Sequence, residues 1–119
     1  MKKLFSNFFE NKNVLITGHT GFIGSWLAIV LIEIGANVGG YALPPNTKRD
    51  NFIVTDLQKK LKHYIGDIRD LKTFYKFFKN FQPEIVFHLA AQPIVRRSYL
   101  TPKETYDINV GGPVNVFET

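Results

Sequence analysis

Three glycines at a spacing of three, Gly18, Gly21 and Gly24, stand in "TGHTGFIG" between two apolar runs. Glycines so placed bring several backbone N–H groups to one point with no β-carbon in the way. Where a strand hands over to a helix, those groups add to the positive end of the helix dipole. The chemistry this implies is the holding of a diphosphate, as in a dinucleotide. Gly18 then makes the sharp turn out of the strand, Gly21 admits the diphosphate to the helix N-terminus, and Gly24 lets helix and strand pack closely. Thr20 adds a hydroxyl donor. The bland alternative is a glycine-rich turn with no ligand.

Other residues with chemistry to offer lie further along. Asp67, in "YIGDIRD", follows an apolar run and can accept from an adenine amino group or serve as a turn aspartate. The stretch "HLAAQ", His88 to Gln92, ends another apolar run, and its small residues let a flat ring pass over a strand tip. His88 is read as a lining residue, not as a base. The acid that usually closes the second strand of an NAD-binding fold is missing, because that region reads Tyr41, Ala42, Leu43. Lys48 and Arg49 can meet a 2′-phosphate or simply face solvent, so these residues leave NAD and NADP both open. Tyr75 and Lys79 have the spacing of a catalytic Tyr-x-x-x-Lys pair, but they fall in a helix before the fourth strand and are read as surface residues. No cluster with metal-ligand spacing occurs.

The elements that must position these residues alternate. Strands are predicted over residues 13–17, 37–42 and 62–65 and in "EIVFHLA", which is apolar almost without alternation, as in a parallel strand covered on both faces. Helices are predicted from Gly21 to Ile34, ended by Gly35, and from an Asp70 cap to Phe81, where Leu71, Phe74, Phe77, Phe78 and Phe81 share one face. A short helix is predicted within "FIVTDLQKKL". In "TPKE", Thr101 is predicted to cap a further helix, with Pro102 at its first position and Glu104 closing a capping box. "NVGGP" then places Pro113 four residues after Asn109, which either kinks that helix or ends it. The alternation implies an α/β fold: the first half of a doubly wound parallel sheet of Rossmann type, with strand order 3-2-1-4.

At 119 residues the chain is one domain's worth, and its 45% hydrophobic and 21% charged content is that of a globular protein. It has no cysteine, which excludes disulfides and thiolate chemistry and fits a cytoplasmic location. The opening "MKKLFSNFFENKN" has no apolar h-region, and the run from Phe22 to Ile34 is shorter than the roughly 20 residues of a membrane span. Neither a membrane nor a secretory role is expected. The net charge of +5 is scattered as Lys2/Lys3, Lys48/Arg49 and Lys59/Lys60/Lys62, with no interleaved aromatic platform. A solvated surface is therefore expected, not nucleic-acid binding.

Taken together, "TGHTGFIGSW", "GYAL", "IGDIRD", "PEIVFHLAAQPIVRRSY" and "TYDINVGG" resemble the extended short-chain dehydrogenase/reductase family. Within it, "GHTGFIGSW" with "AAQPIVRRSY" resembles the CDP-sugar branch of the nucleotide-sugar 4,6-dehydratases. The resemblance implies NAD as cofactor and CDP-glucose as substrate, in a homodimeric full-length lyase. It implies that Gly18, Gly21, Phe22, Ile23 and Gly24 hold the pyrophosphate, that Asp67 and Ile68 hold the adenine, and that Ala90, Ala91 and Gln92 lie on the nicotinamide side. Arg96, Ser98 and Tyr99, with His88, would face the substrate, and Asn109 would help order the active site. Residues 1–119 would then be the N-terminal part of the dinucleotide-binding domain, with the catalytic tyrosine/lysine pair and the substrate domain beyond Thr119. Two other readings stand beside this one: another extended family member, an epimerase or reductase, or a non-catalytic nucleotide-binding module.

Overall fold

The structure, a computed structural model, describes residues 4–119. The Lys2/Lys3 cluster therefore lies outside the described residues. Strands β1 (Asn13–Thr17), β2 (Asn37–Ala42), β3 (Lys62–Ile65) and β4 (Ile85–His88) form one sheet in the order β3-β2-β1-β4, every pair parallel. This is the expected doubly wound half. Thr17 stands level with Tyr41 on one side and His88 on the other, so the carboxyl ends of the three strands lie along one edge.

The sheet is covered on both faces because β1 alternates two apolar sets. Val14 and Ile16 pack with Ala28 and Leu31 of helix α1 (Phe22–Glu33), with its C-cap Ile34, and with Phe52 of the short helix α2 (Asn51–Val54). Leu15 points the other way, into Tyr41, Phe74, Phe77 and Phe81, the last three on helix α3 (Leu71–Phe81). The Asp70 carboxylate caps α3 by accepting from the Thr73 N–H at 3.1 Å, as predicted. The "FIVTDLQKKL" stretch supplies α2 and a single 3-10 turn, Leu57–Lys59.

After β4 the chain departs from expectation in three ways. Residues Val95–Leu100 form a helix, α4, that no local signal announced. Helix α5 (Pro102–Tyr106) does begin at Pro102, but the capping box is not formed. Because α4 ends one residue earlier, the Thr101 hydroxyl finds the Arg97 carbonyl at 3.0 Å, and Glu104 pairs with the Arg97 guanidinium at 2.7 Å. Finally, the helix carrying Asn109 neither ends nor breaks. It widens into a π-turn over Asp107–Gly111, in which the Gly112 N–H bonds to the carbonyls of Asp107 and Ile108, and continues as α6 (Gly112–Glu118). Pro113 is accommodated because the ladder has already left the i→i−4 register before it.

Candidate functional site

The turn between β1 and α1 is built around missing β-carbons. Gly18 has φ +80°, and a Cβ there would lie 2.8 Å from the Ala90 nitrogen on the tip of β4. A Cβ at Gly24 would lie 2.2 Å from the Gly18 carbonyl oxygen, so the first turn of α1 rests directly on the turn that precedes it. The Gly21 N–H closes that turn onto Gly18 O at 3.1 Å, and the first helical bond is Ser25 N–H to Gly21 O at 2.9 Å. Gly21, the N-cap, offers no side chain. The N–H groups of Phe22, Ile23 and Gly24 are therefore left without a partner among the described residues, all three at the positive end of one helix dipole. The side chains of Phe22 and Ile23 point largely into solvent, so what these two positions bring to the site is their amides.

Thr20 does not act as the expected hydroxyl donor. Its side chain is buried and donates to the Leu43 carbonyl at 2.8 Å, tying the turn to the loop after β2. The nearer backbone acceptor wins because the hydroxyl has only one proton to give. Beside the turn lies an open cleft of about 520 Å³ lined by Thr20, Gly21, Phe22, Trp26, Asn46 and Arg49. Arg49 makes no ion pair among the described residues.

The third strand delivers Asp67 to the same edge, held from three sides. Its carboxylate takes a forked pair from Arg69, with Nη2 at 2.6 Å and Nε at 3.0 Å, and the Arg69 N–H at 2.9 Å. These hydrogen bonds hold the acid below the usual carboxylate range. The Tyr41 hydroxyl donates to Asp67 O at 2.9 Å, and Asn115 of α6 donates to Ile68 O at 2.8 Å. Sequence reasoning missed these braces; the Asp-x-Arg spacing in "GDIRD" is the one local signal that could have disclosed the first.

At the tip of β4, Thr17 Oγ1 accepts from the N–H groups of Leu89 and Ala90 at 3.1 and 3.2 Å. With both lone pairs taken, its own proton goes to His88 Nδ1 at 2.6 Å, which fixes His88 as the Nε2–H tautomer. Burial holds the His88 ring below its ordinary value. Asn109, on the π-turn, clamps the next residues: its Oδ1 accepts from the Gln92 N–H at 2.8 Å and its Nδ2 donates to Gln92 O at 3.0 Å. The buried Gln92 side chain does not face the edge. It donates to Ile94 O at 3.2 Å and to Thr105 Oγ1 at 3.1 Å. Arg96, Ser98 and Tyr99 lie on α4, with Ser98 bonded to its own Val95 carbonyl and Tyr99 82% exposed. Tyr75 and Lys79 do meet, Nζ to hydroxyl at 3.2 Å, but on the exposed side of α3 at the opposite end of β4.

One titrating group belongs to the turn itself. His19 is fully buried, and desolvation, with the nearby His63 second, lowers it from 6.5 to about 3. A folded value below the unfolded one means that the unfolded chain takes up the proton first. The stability contributed is complete above pH 6.5 and drains as the pH falls toward 3. Between pH 7 and pH 5 the chain is expected to lose about 2 kcal/mol through this group. Urea unfolding at the two pH values reads the loss; a midpoint that does not move contradicts the burial of a neutral ring.

A parallel sheet with a glycine turn opening its first helix, and with Gly18, Asp67 and His88 at the carboxyl ends of its strands, defines a Rossmann-type α/β half. Residues 15–119 match the family described as GDP-mannose 4,6 dehydratase, and the chain belongs to that family. It is 50% identical over 113 residues to the CDP-glucose 4,6-dehydratase of Salmonella typhimurium, covering 95% of this chain and 32% of that protein. Among solved structures, UDP-glucose 4-epimerase of Thermus thermophilus in complex with NAD superposes with a TM-score of 0.78 at 31% identity. That match covers 89% of this chain and 32% of the epimerase. UDP-glucose 4-epimerase of Thermotoga maritima with UDP-glucose gives 0.76 at 34% identity, over 89% and 33%. The chain thus spans about a third of the length of each. No helix among the described residues is long and apolar enough to cross a membrane.

Proposed function

We propose that the chain is the NAD-binding part of a nucleotide-sugar 4,6-dehydratase whose substrate is CDP-glucose. The observation that carries the reading is the row of unpartnered amides at Phe22, Ile23 and Gly24, reached over a turn that leaves no room for a β-carbon at Gly18 or Gly24. The 50% identity to the Salmonella protein supports the choice of sugar nucleotide.

The three amides and the Gly18–Gly21 turn bind the diphosphate, and Asp67, kept ionised by Arg69, accepts from the adenine amino group with Ile68 against the ring. Ala90, Ala91 and Gln92 carry the nicotinamide side, oriented by the Asn109 clamp and by Thr17. His88, Arg96, Ser98 and Tyr99 face the sugar nucleotide. When bound, NAD supplies the hydride acceptor for the C4 alcohol of the hexose and gives the hydride back at C6 after water is lost. The described residues supply binding and orientation; the proton transfers at O4 and O6 are assigned to none of them.

The test is to incubate the full-length protein with CDP-glucose and follow the ultraviolet absorption of a 4-keto-6-deoxy sugar in alkali. CDP-glucose is expected to give the chromophore, and GDP-mannose and UDP-glucose are not. A C4 epimer without chromophore, or turnover of GDP-mannose alone, contradicts the assignment.

A further inference from the structure

A turn made of glycines binds well only if something outside it holds it still, because glycine loses the most conformational freedom on ordering. Thr20 provides one anchor through Leu43. The residue before it provides a second. The His19 ring is fully buried and lies flat against β2 at Gly40, where a Cβ would come within 2.3 Å of its Cγ. Phe52 of α2 meets it edge-on at 5.3 Å, and the His63 ring of β3 stands 4.9 Å away. His19 Nε2 and His63 Nδ1 are 2.7 Å apart, so one of them carries a proton and donates it to the other.

Which one donates follows from the far side of the ring. His19 Nδ1 is buried without any hydrogen-bond partner. A proton there would be an orphaned buried donor, which folded proteins avoid more strictly than an orphaned acceptor. The proton therefore sits on Nε2, and His19 donates to His63 Nδ1 across the sheet. The side chain that follows the first glycine of the turn is thereby pinned to β3, two strands away from β1, where the turn begins.

We propose that His63 is a positioning residue for the bound diphosphate, acting through His19 to hold the β1–α1 turn in its binding geometry. This rests on the dinucleotide reading above. The test compares His63→Phe, which keeps an aromatic ring against Phe52 but removes the acceptor, with His63→Asn, whose amide oxygen takes the place of Nδ1. NAD affinity is read from the fluorescence of Trp26, the single tryptophan, which lines the cleft beside the turn. His63→Phe is expected to weaken NAD binding by about five-fold, and His63→Asn to keep it within about two-fold of the wild type. Equal binding by wild type and His63→Phe overturns the proposal, as does a His63→Asn variant as weak as His63→Phe. Wild-type chain that binds no NAD overturns the dinucleotide reading, and the proposal with it. Long-range ¹⁵N–¹H spectra of the wild-type imidazoles test the bond independently of binding: His19 is expected protonated at Nε2 and bare at Nδ1, and the reverse tautomer overturns the assignment.

Discussion

Gly24→Ala is expected to abolish measurable NAD binding and to lower the melting temperature, although alanine is the better helix former. Helix propensity alone favours the variant by roughly 1 kcal/mol. Against that, the new methyl carbon would lie 2.2 Å from the Gly18 oxygen and 2.8 Å from the Gly18 carbonyl carbon. Both are backbone atoms and have no rotamer to escape through, so either α1 or the turn must move. Overpacking of this kind typically costs about 1–3 kcal/mol, which outweighs the gain in propensity. The displaced turn also carries the Phe22 and Ile23 amides off their common target, so the loss of affinity is expected to exceed the loss of stability, at more than about a hundred-fold. Thermal melts and Trp26 fluorescence titrations with NAD check the two effects separately. A Gly24→Ala chain that melts higher than wild type and binds NAD as well would show that the close approach does not exist.

Asn109→Leu carries the second large effect. The side-chain amide of Asn109 satisfies both the N–H and the C=O of Gln92, a residue only 6% exposed. Leucine keeps the branched four-atom skeleton and leaves both groups without partners. An unsatisfied buried polar group costs about 1–3 kcal/mol, so the variant is expected to be about 2–4 kcal/mol less stable. Asn109→Asp should fall between the two, since its carboxylate can still accept from the Gln92 N–H but faces the Gln92 carbonyl with a second oxygen. Denaturant midpoints give the ranking, and hydrogen exchange at the Gln92 amide locates it. An Asn109→Leu chain as stable as wild type, with the Gln92 amide still protected, would mean that the π-turn does not clamp the tip of β4.

These two residues show how far the sequence could be read. Gly24 was legible because its constraint is local: strand, turn and helix lie within a dozen residues, and the spacing of three encodes the contact with Gly18. The sheet order followed for the same reason, since β1 and the "EIVFHLA" stretch are apolar on both faces and α3 declares its buried side through its phenylalanines. Asn109 is marked in the sequence only by the family resemblance, and no local signal announces its π-turn. The Asn109 side chain on that turn bonds to Gln92, seventeen residues away, and nothing in "NVGGP" states those bonds. Helix α4 escaped notice because "VRRSYL" is short, has no cap and buries no residue. Thr20 and Thr101 misled in one way. Each hydroxyl is turned toward a carbonyl brought close by the fold: Thr20 gives its single proton to Leu43 O, and Thr101, donating to Arg97 O, does not present its oxygen to the N–H it was expected to cap. His19 carries no local signal of its role inside the glycine turn, because its partner stands 44 residues on.

The most direct measurement is a ¹⁵N-resolved titration of the chain with NAD, and with ADP as a shorter diphosphate. The backbone amides of Phe22, Ile23 and Gly24 are expected to shift most and to move alike with both ligands, because the diphosphate is what they share. Saturation by either ligand with those three signals unmoved, or with the largest changes at α3 or α4, would contradict the claim that the turn after β1 is where the dinucleotide is gripped.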